Sequence, residues 1–155
     1  MNKQLFCLKN QKIILAILIG ILVFICACYQ VKASDTGCHL KYGEKIVQEK
    51  KLIYKDIFSY TAAGNEYPPT HWFFQVIVYL LYDSTGIKGL IIVKALWYSL
   101  IYLLFYLLLI KSDIHPWISF FFVFLAAVGS ENRMAIRPQA ISYMGFVLYF
   151  FILVK

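Results

Sequence analysis

The feature that most constrains this chain is a run of sixteen residues without a charge, ALWYSLIYLLFYLLLI, at positions 95–110. With the residues just before it, the apolar segment extends over residues 89–110, which would form a helix about 33 Å long. That length matches the roughly 30 Å hydrocarbon core of a bilayer. The sequence therefore predicts a transmembrane helix at this position.

The composition extends this interpretation to the whole chain. Hydrophobic residues make up 61% of its 155 residues and charged residues only 15%, whereas a typical globular protein has about 25% charged residues. A soluble domain of this size exposes much of its surface, which so little charge would cover poorly. An aromatic content of 18% also excludes a disordered chain. We therefore predict an all-α, polytopic membrane protein with about four spans and one in-plane interfacial helix.

The order of polar and apolar segments predicts the topology. A basic tail over residues 1–12 favours a cytoplasmic N-terminus in the cell membrane, with outer loops at residues 30–88 and 131–138. Residues 71–82 would form a helix of only about 18 Å, too short to span a bilayer, and are rich in Trp and Tyr. This favours an in-plane helix, with a tilted span as the alternative. The four predicted spans cover residues 13–29, 89–110, 114–130 and 139–154.

The first predicted span has a second interpretation. A basic tail followed by an apolar stretch is also typical of a secretory signal peptide, and Val31 and Ala33 stand near a possible cleavage point. Further apolar runs follow along the chain, and these favour an uncleaved anchor.

The net charge of +7 does not indicate nucleic-acid binding. In a soluble domain such a charge would suggest phosphate contacts. Here the Lys and Arg residues lie in the tail and in the loops between apolar runs, where topology and contacts with lipid headgroups account for them. We therefore expect membrane lipids, and no nucleic acid, as partners.

The side chains that could support chemistry are concentrated in the two predicted outer loops. Asp35 and His39 follow the first span, and Glu131, Arg133 and Arg137 belong to the second outer loop. A carboxylate near guanidinium groups at the lipid–water boundary suits a reaction on a lipid-linked phosphate. The carboxylate could accept a proton, and the guanidinium groups could hold the phosphate. Phosphate-binding Gly-rich loops and zinc-binding motifs are absent from the sequence. We therefore predict no cofactor and no metal ligands, and the sequence leaves open whether a divalent metal ion takes part.

Four segments of the chain carry a resemblance to a known family: DTGCHLKYGE at 35–44, DIFSYTAAG at 56–64, WFFQ at 72–75 and GIKGL at 86–90. They resemble the N-terminal part of the GT-C-type membrane glycosyltransferases, in particular a bacterial group related to dolichyl-phosphate-mannose protein mannosyltransferases. Arg133 and the pair Arg137-Pro138 are similar to a later part of the same pattern. Where this group often has His-Glu-Trp, the chain has Thr70-His71-Trp72. The resemblance covers residues 13–155 and only the beginning of such an enzyme.

The resemblance implies an inverting transfer of a sugar from a polyprenyl-phosphate donor to a hydroxyl acceptor on the extracytoplasmic face. Asp35 would be the catalytic base, Arg133 and Arg137 would contact the donor phosphate, and His39 and Glu131 would complete the substrate site. The acceptor is not specified. The main alternative is a noncatalytic membrane subunit or scaffold in envelope assembly. A transporter component is disfavoured because the spans carry no acidic residues.

Overall fold

The structure, a computed structural model, is all-α. It describes residues 2–28, 35–61 and 63–154, and for residues 2–9 the backbone alone. The chain is 76% helical, and no strand forms in the described ranges, which confirms the predicted class. The elements are α1 (Asn2–Ala27), α2 (Asp35–Glu49), α3 (Trp72–Lys111), α4 (Pro116–Gly129) and α5 (Gln139–Leu153), with a 3-10 helix at Glu131–Arg133.

The chain divides into two compact units. One unit, called the apolar unit below, contains α1, the chain from Ile91 to Ala135, and the residues from Gln139 onward. The other, called the polar unit, contains the described chain from Asp35 to Leu90, which includes α2 and the first part of α3, and the short segment Ile136–Pro138. Each unit has buried hydrophobic residues of its own.

Among the described residues, two helices are long and apolar enough to cross a membrane. They are the stretch Asn10–Ala27 of α1, with a mean hydropathy of 2.2, and α3, in which an 18-residue stretch has a mean hydropathy of 2.0. Helices α4 and α5 are apolar but shorter, with 14 and 15 residues. The number of spans and the orientation of the N-terminus therefore stay predictions, and the possible cleavage point near Val31 and Ala33 lies outside the described residues.

The core of the apolar unit is built on regularly spaced small and branched side chains. In α1 the buried residues recur at every fourth position, and in α4 Ser119, Val123 and Ala127 repeat the same spacing. Positions four apart lie on one face of a helix. Helices α1 and α4 pack against each other, and small side chains allow their backbones to approach closely. The α1 positions are Leu15, Ile19, Val23 and Ala27.

The outward faces of the apolar unit are also hydrophobic. From Ile13 to Ile25 of α1 the exposed residues are as apolar as the buried ones, and large exposed hydrophobic side chains continue along α4 and α5. A helix that is apolar all round is typical of a membrane span, since water would solvate such a face unfavourably. The large hydrophobic residues exposed on α1 are Ile13, Ile14, Ile17, Leu18, Ile21 and Ile25.

Helix α3 contains one break, at Gly86. The sequence predicts separate helices at residues 71–82 and 89–110, and the structure interrupts the helix at this single residue, with φ 68° and ψ −172°. Just before the break, the hydroxyls of Ser84 and Thr85 donate to the carbonyls of Leu80 and Leu81, 2.9 and 2.7 Å away, a type of bond that often bends a helix. Glycine accepts the positive φ without a steric penalty.

Helix α2 has no counterpart among the predicted elements, because residues 30–88 were predicted as an outer loop. Its packing depends on Gly43. A Cβ atom at this position would collide with the carbonyl oxygen of Gln75 and would lie 2.7 Å from Cβ of Tyr79. The missing side chain therefore allows α2 to lie directly against the first turns of α3.

Candidate functional site

An ion pair between Asp35 and Arg137 defines the candidate site in the polar unit. Oδ2 of Asp35 lies 2.8 Å from Nη2 of Arg137, although the two residues are about a hundred positions apart in the sequence. The side chains are 52% and 37% exposed, so solvent and ligands reach the pair. Such a partly exposed pair contributes little to stability, about 0 to 1 kcal/mol.

Local structure places both partners. Asp35 is the first residue of α2, where the positive end of the helix dipole favours a carboxylate. Arg137 belongs to the segment Ile136–Pro138, which Ile136 anchors by packing with Val78 and Leu90. The packing of Ile136 thereby holds the segment Ile136–Pro138 beside the N-terminus of α2, where Arg137 reaches Asp35.

His39 lies one helical turn after Asp35, so that both side chains share a face of α2. Its ring packs edge-on against Phe74, with the centroids 5.3 Å apart, and lies 6.5 Å from the ring of His71. Burial lowers the pKa of His39 below 6.5, and the nearby His71 lowers it further; Asp35 opposes this shift. The neutral imidazole is therefore favoured at neutral pH.

Three buried polar atoms near this pair lack a hydrogen-bond partner within the described residues. They are Nδ1 of His39, Nε of Arg137 and Oγ1 of Thr36, which follows Asp35 on α2. A buried polar group without a partner costs roughly 1–3 kcal/mol. Donor groups held in this way are typical of a site that a ligand completes, and an anion with several acceptor oxygens suits Nε–H of Arg137 best.

A second set of contacts fixes the loop between α2 and α3. The hydroxyl of Tyr42 donates to Oδ1 of Asp56 across 3.1 Å, and the same oxygen accepts the amides of Phe58 and Ser59 at 3.0 and 2.9 Å. Hydrogen bonds from the side chain and amide of Ser59, and from the amide of Phe58, lower the pKa of Asp56 to about 2. Tyr42 also stacks on Tyr67 with centroids 4.6 Å apart. The carboxylate of Asp56 therefore holds this loop in its conformation.

The other two predicted site residues belong to the apolar unit. Glu131 and Arg133 form the 3-10 helix after α4, and both are exposed. The hydroxyl of Tyr98 lies 3.1 Å from the carbonyl oxygen of Arg133 and 3.0 Å from that of Ala135, and donates to this pair. The structure thus groups Asp35, His39 and Arg137 in one unit and Glu131 with Arg133 in the other.

Sequence reasoning missed His71 as a neighbour of His39. The chain has three histidines, and two of them face each other here. His71 directly precedes α3 and accepts, through its carbonyl oxygen, the amide of Gln75 at 3.0 Å. No sequence signal pairs His71 with His39, because 32 positions separate them and only the folded chain brings their rings close together.

The chemistry of the site follows from its groups. A carboxylate can accept a proton, a guanidinium group can bind an oxyanion, and a neutral imidazole can donate or accept a hydrogen bond. Among the described residues, no group of three or more His, Cys, Asp or Glu side chains is arranged to hold a metal ion. The site is therefore suited to acid–base chemistry beside a bound anion.

Comparisons of this chain with protein-family models, with curated proteins and with solved structures gave no match.

Proposed function

We propose that this chain is a GT-C-like glycosyltransferase, or the N-terminal part of one, that transfers a sugar from a polyprenyl-phosphate donor to a hydroxyl acceptor. The single observation that carries the proposal is the Asp35–Arg137 ion pair flanked by the unpartnered Nδ1 of His39 and Nε of Arg137. It combines an accessible carboxylate with neighbouring buried groups that can bind an anion. The resemblance of residues 35–44 and 133–138 to GT-C enzymes supports the same function.

In the proposed reaction, the phosphate of the donor binds Arg137 and competes with Asp35 for the guanidinium group. The released carboxylate of Asp35 accepts the proton of the acceptor hydroxyl. The acceptor oxygen forms a bond to the anomeric carbon, and the bond from that carbon to the phosphate oxygen breaks. The phosphate leaves with the electron pair, and Nε–H of Arg137 stabilises its added charge. His39 contributes a further hydrogen bond to the donor.

The proposal places the protein in the cell membrane with four spans, a cytoplasmic N-terminus and the polar unit outside. Two helices of spanning length and the apolar outer face of α1 support a membrane location. Labelling of single cysteines with a membrane-impermeant maleimide in intact cells tests the orientation. Asp35→Cys should react from outside and Asp113→Cys should be protected, and the reverse pattern would contradict the orientation.

The catalytic proposal is tested by Asp35→Asn in the full chain, assayed in membranes with polyprenyl-phosphate mannose and polyprenyl-phosphate glucose that carry a radiolabelled sugar. Loss of the general base should lower transfer about 10²- to 10⁴-fold. Arg137→Lys should weaken donor binding, because lysine cannot bind phosphate through two parallel hydrogen bonds.

The matched control is Lys41→Gln. Lys41 lies on the same helix and pairs with Glu44 on an exposed face at 2.7 Å, so transfer should not change. Unchanged turnover of Asp35→Asn would reject the assignment of the base. A folded wild-type chain with no turnover of either donor would favour a noncatalytic membrane subunit instead.

A further inference from the structure

The apolar unit contains a cavity of about 450 Å³ that is lined almost entirely by hydrocarbon. This volume lies within the range of small-molecule sites in proteins. The second half of α3 and helices α4 and α5 supply most of the wall. The hydrophobic lining includes Ile101, Phe105, Ala126, Met134, Phe146 and Val147.

One charged residue, Arg133, lies among the described residues of this lining. Its backbone is fixed because the hydroxyl of Tyr98, itself part of the wall, donates to its carbonyl oxygen. Its guanidinium group makes no ion pair with any described residue. A cation whose backbone is held in place therefore lies at the wall of a largely apolar cavity.

The cavity wall carries the hydroxyl of Tyr143 and those of Tyr102 and Ser130. The last two bond to each other, and Ser130 also donates to the carbonyl oxygen of Ala126 at 2.6 Å. Their hydrogen-bonding capacity is therefore largely used within the protein. A ligand of this cavity needs a long apolar part and a single anionic group.

We propose that this cavity binds one hydrocarbon chain of an anionic phospholipid, with the phosphodiester of the headgroup on Arg133. The charge balance favours this ligand, since a phosphodiester carries one negative charge, whereas a phosphomonoester carries about 1.5 to 2 and would exceed the one cation. The phospholipid is also the hydrocarbon-bearing anion that surrounds a membrane protein in large excess. The sugar donor, by contrast, has its own guanidinium group, Arg137, in the polar unit.

The test uses a phosphatidylglycerol probe with a diazirine in one acyl chain, mixed into phosphatidylcholine nanodiscs that contain the full chain. After irradiation, mass spectrometry should find the probe on Phe105, Tyr143 or Phe146. Arg133→Gln should lower this labelling at least fivefold, and Arg133→Lys should retain most of it. Ala126→Trp, which fills the cavity, should abolish labelling without involving the cation.

Lys55→Gln serves as the control, because it removes a positive charge from an exposed loop of the polar unit and should leave labelling unchanged. Unlabelled phosphatidylglycerol should compete with the probe, whereas inorganic phosphate should not. Equal labelling by a neutral diacylglycerol probe, or no effect of Arg133→Gln, would overturn the inference. Competition by polyprenyl-phosphate glucose alone would also overturn it and would make the cavity a donor site. None of these outcomes depends on Asp35. The proposed transfer reaction is therefore tested separately, by the Asp35→Asn variant.

Discussion

The two units of this protein differ in how many buried polar atoms they leave without a hydrogen-bond partner. In the apolar unit, Tyr98 donates to two backbone carbonyls and Nε1 of Trp97 donates to the carbonyl oxygen of Ala140 at 3.1 Å. Among the described residues of this unit, Oγ of Ser119 is the one buried side-chain atom without a partner, whereas the polar unit has four, on Thr36, His39, Gln75 and Arg137. The apolar unit thus uses most of its polar groups to join segments, and the polar unit leaves several of them available for a ligand.

Packing shows the same contrast. The apolar unit combines a stripe of small and branched residues with outward faces that are equally hydrophobic. The polar unit depends on a close backbone contact at Gly43 and on a charged, accessible pair. Substitutions that disturb only one unit can therefore separate their contributions to stability.

The largest expected effect is that of Gly43→Ala. The added methyl group collides with backbone atoms of Gln75, which cannot move aside like the end of a flexible side chain, so we expect a loss of about 2–3 kcal/mol. Hydrogen exchange in detergent should show faster exchange in α2 and unchanged exchange in α1 and α4.

Gly37→Ala is the matched control, since it makes the same change on the same helix where nothing lies within 4 Å of the new Cβ. Alanine favours helix over glycine, so this variant should gain up to about 1 kcal/mol. An equal change in stability and in the hydrogen exchange of α2 for Gly43→Ala and Gly37→Ala would mean that α2 does not pack against α3 as described.

A smaller effect, confined to the apolar unit, is expected for Ala127→Leu. Ala127 is fully buried on the stripe of α4, and a larger side chain should cost about 2 kcal/mol through overpacking. Thermal unfolding in detergent should show this loss, and exchange should increase in α4 while α2 stays protected. Val128→Leu, on the exposed face of the same helix, should change stability by less than about 0.5 kcal/mol; an equal loss there would contradict the assigned faces.

The smallest expected effect is a dependence on pH that is specific to the polar unit. Because the pKa of His39 is below 6.5 in the folded protein, the unfolded chain binds more protons between the two values, and stability falls as the pH falls through 6.5 toward the folded pKa. Exchange in α2, corrected for its intrinsic rate, should be faster at pH 5 than at pH 7.5. His39→Gln should remove this difference, and its persistence would assign the effect to another group.

The sequence was most informative where lipid solvation decides the structure. The uncharged run at 95–110 predicts the second half of α3, and the apolar segments at 114–130 and 139–154 correspond to α4 and α5. In such segments the composition of about twenty residues is enough to predict a helix.

The sequence was least informative where single contacts decide the structure. Helix α2 lies in a polar segment and forms against α3 because Gly43 allows close contact, a feature with no periodic pattern. Similarly, Asp35 and Arg137 were both chosen as site residues, but their 2.8 Å ion pair depends on the anchoring of Ile136. His71 was missed because only the folded chain brings its ring near that of His39.

The segment Ile136–Pro138 has a consequence for biosynthesis. It supplies the polar unit with Arg137 and with the buried side chain of Ile136, yet it follows four of the five helices in the chain. While the ribosome is still translating α4, Arg137 does not yet exist. The polar unit, begun early, is therefore completed only after α4, and a nascent chain stopped before Arg137 cannot form the ion pair between Asp35 and Arg137.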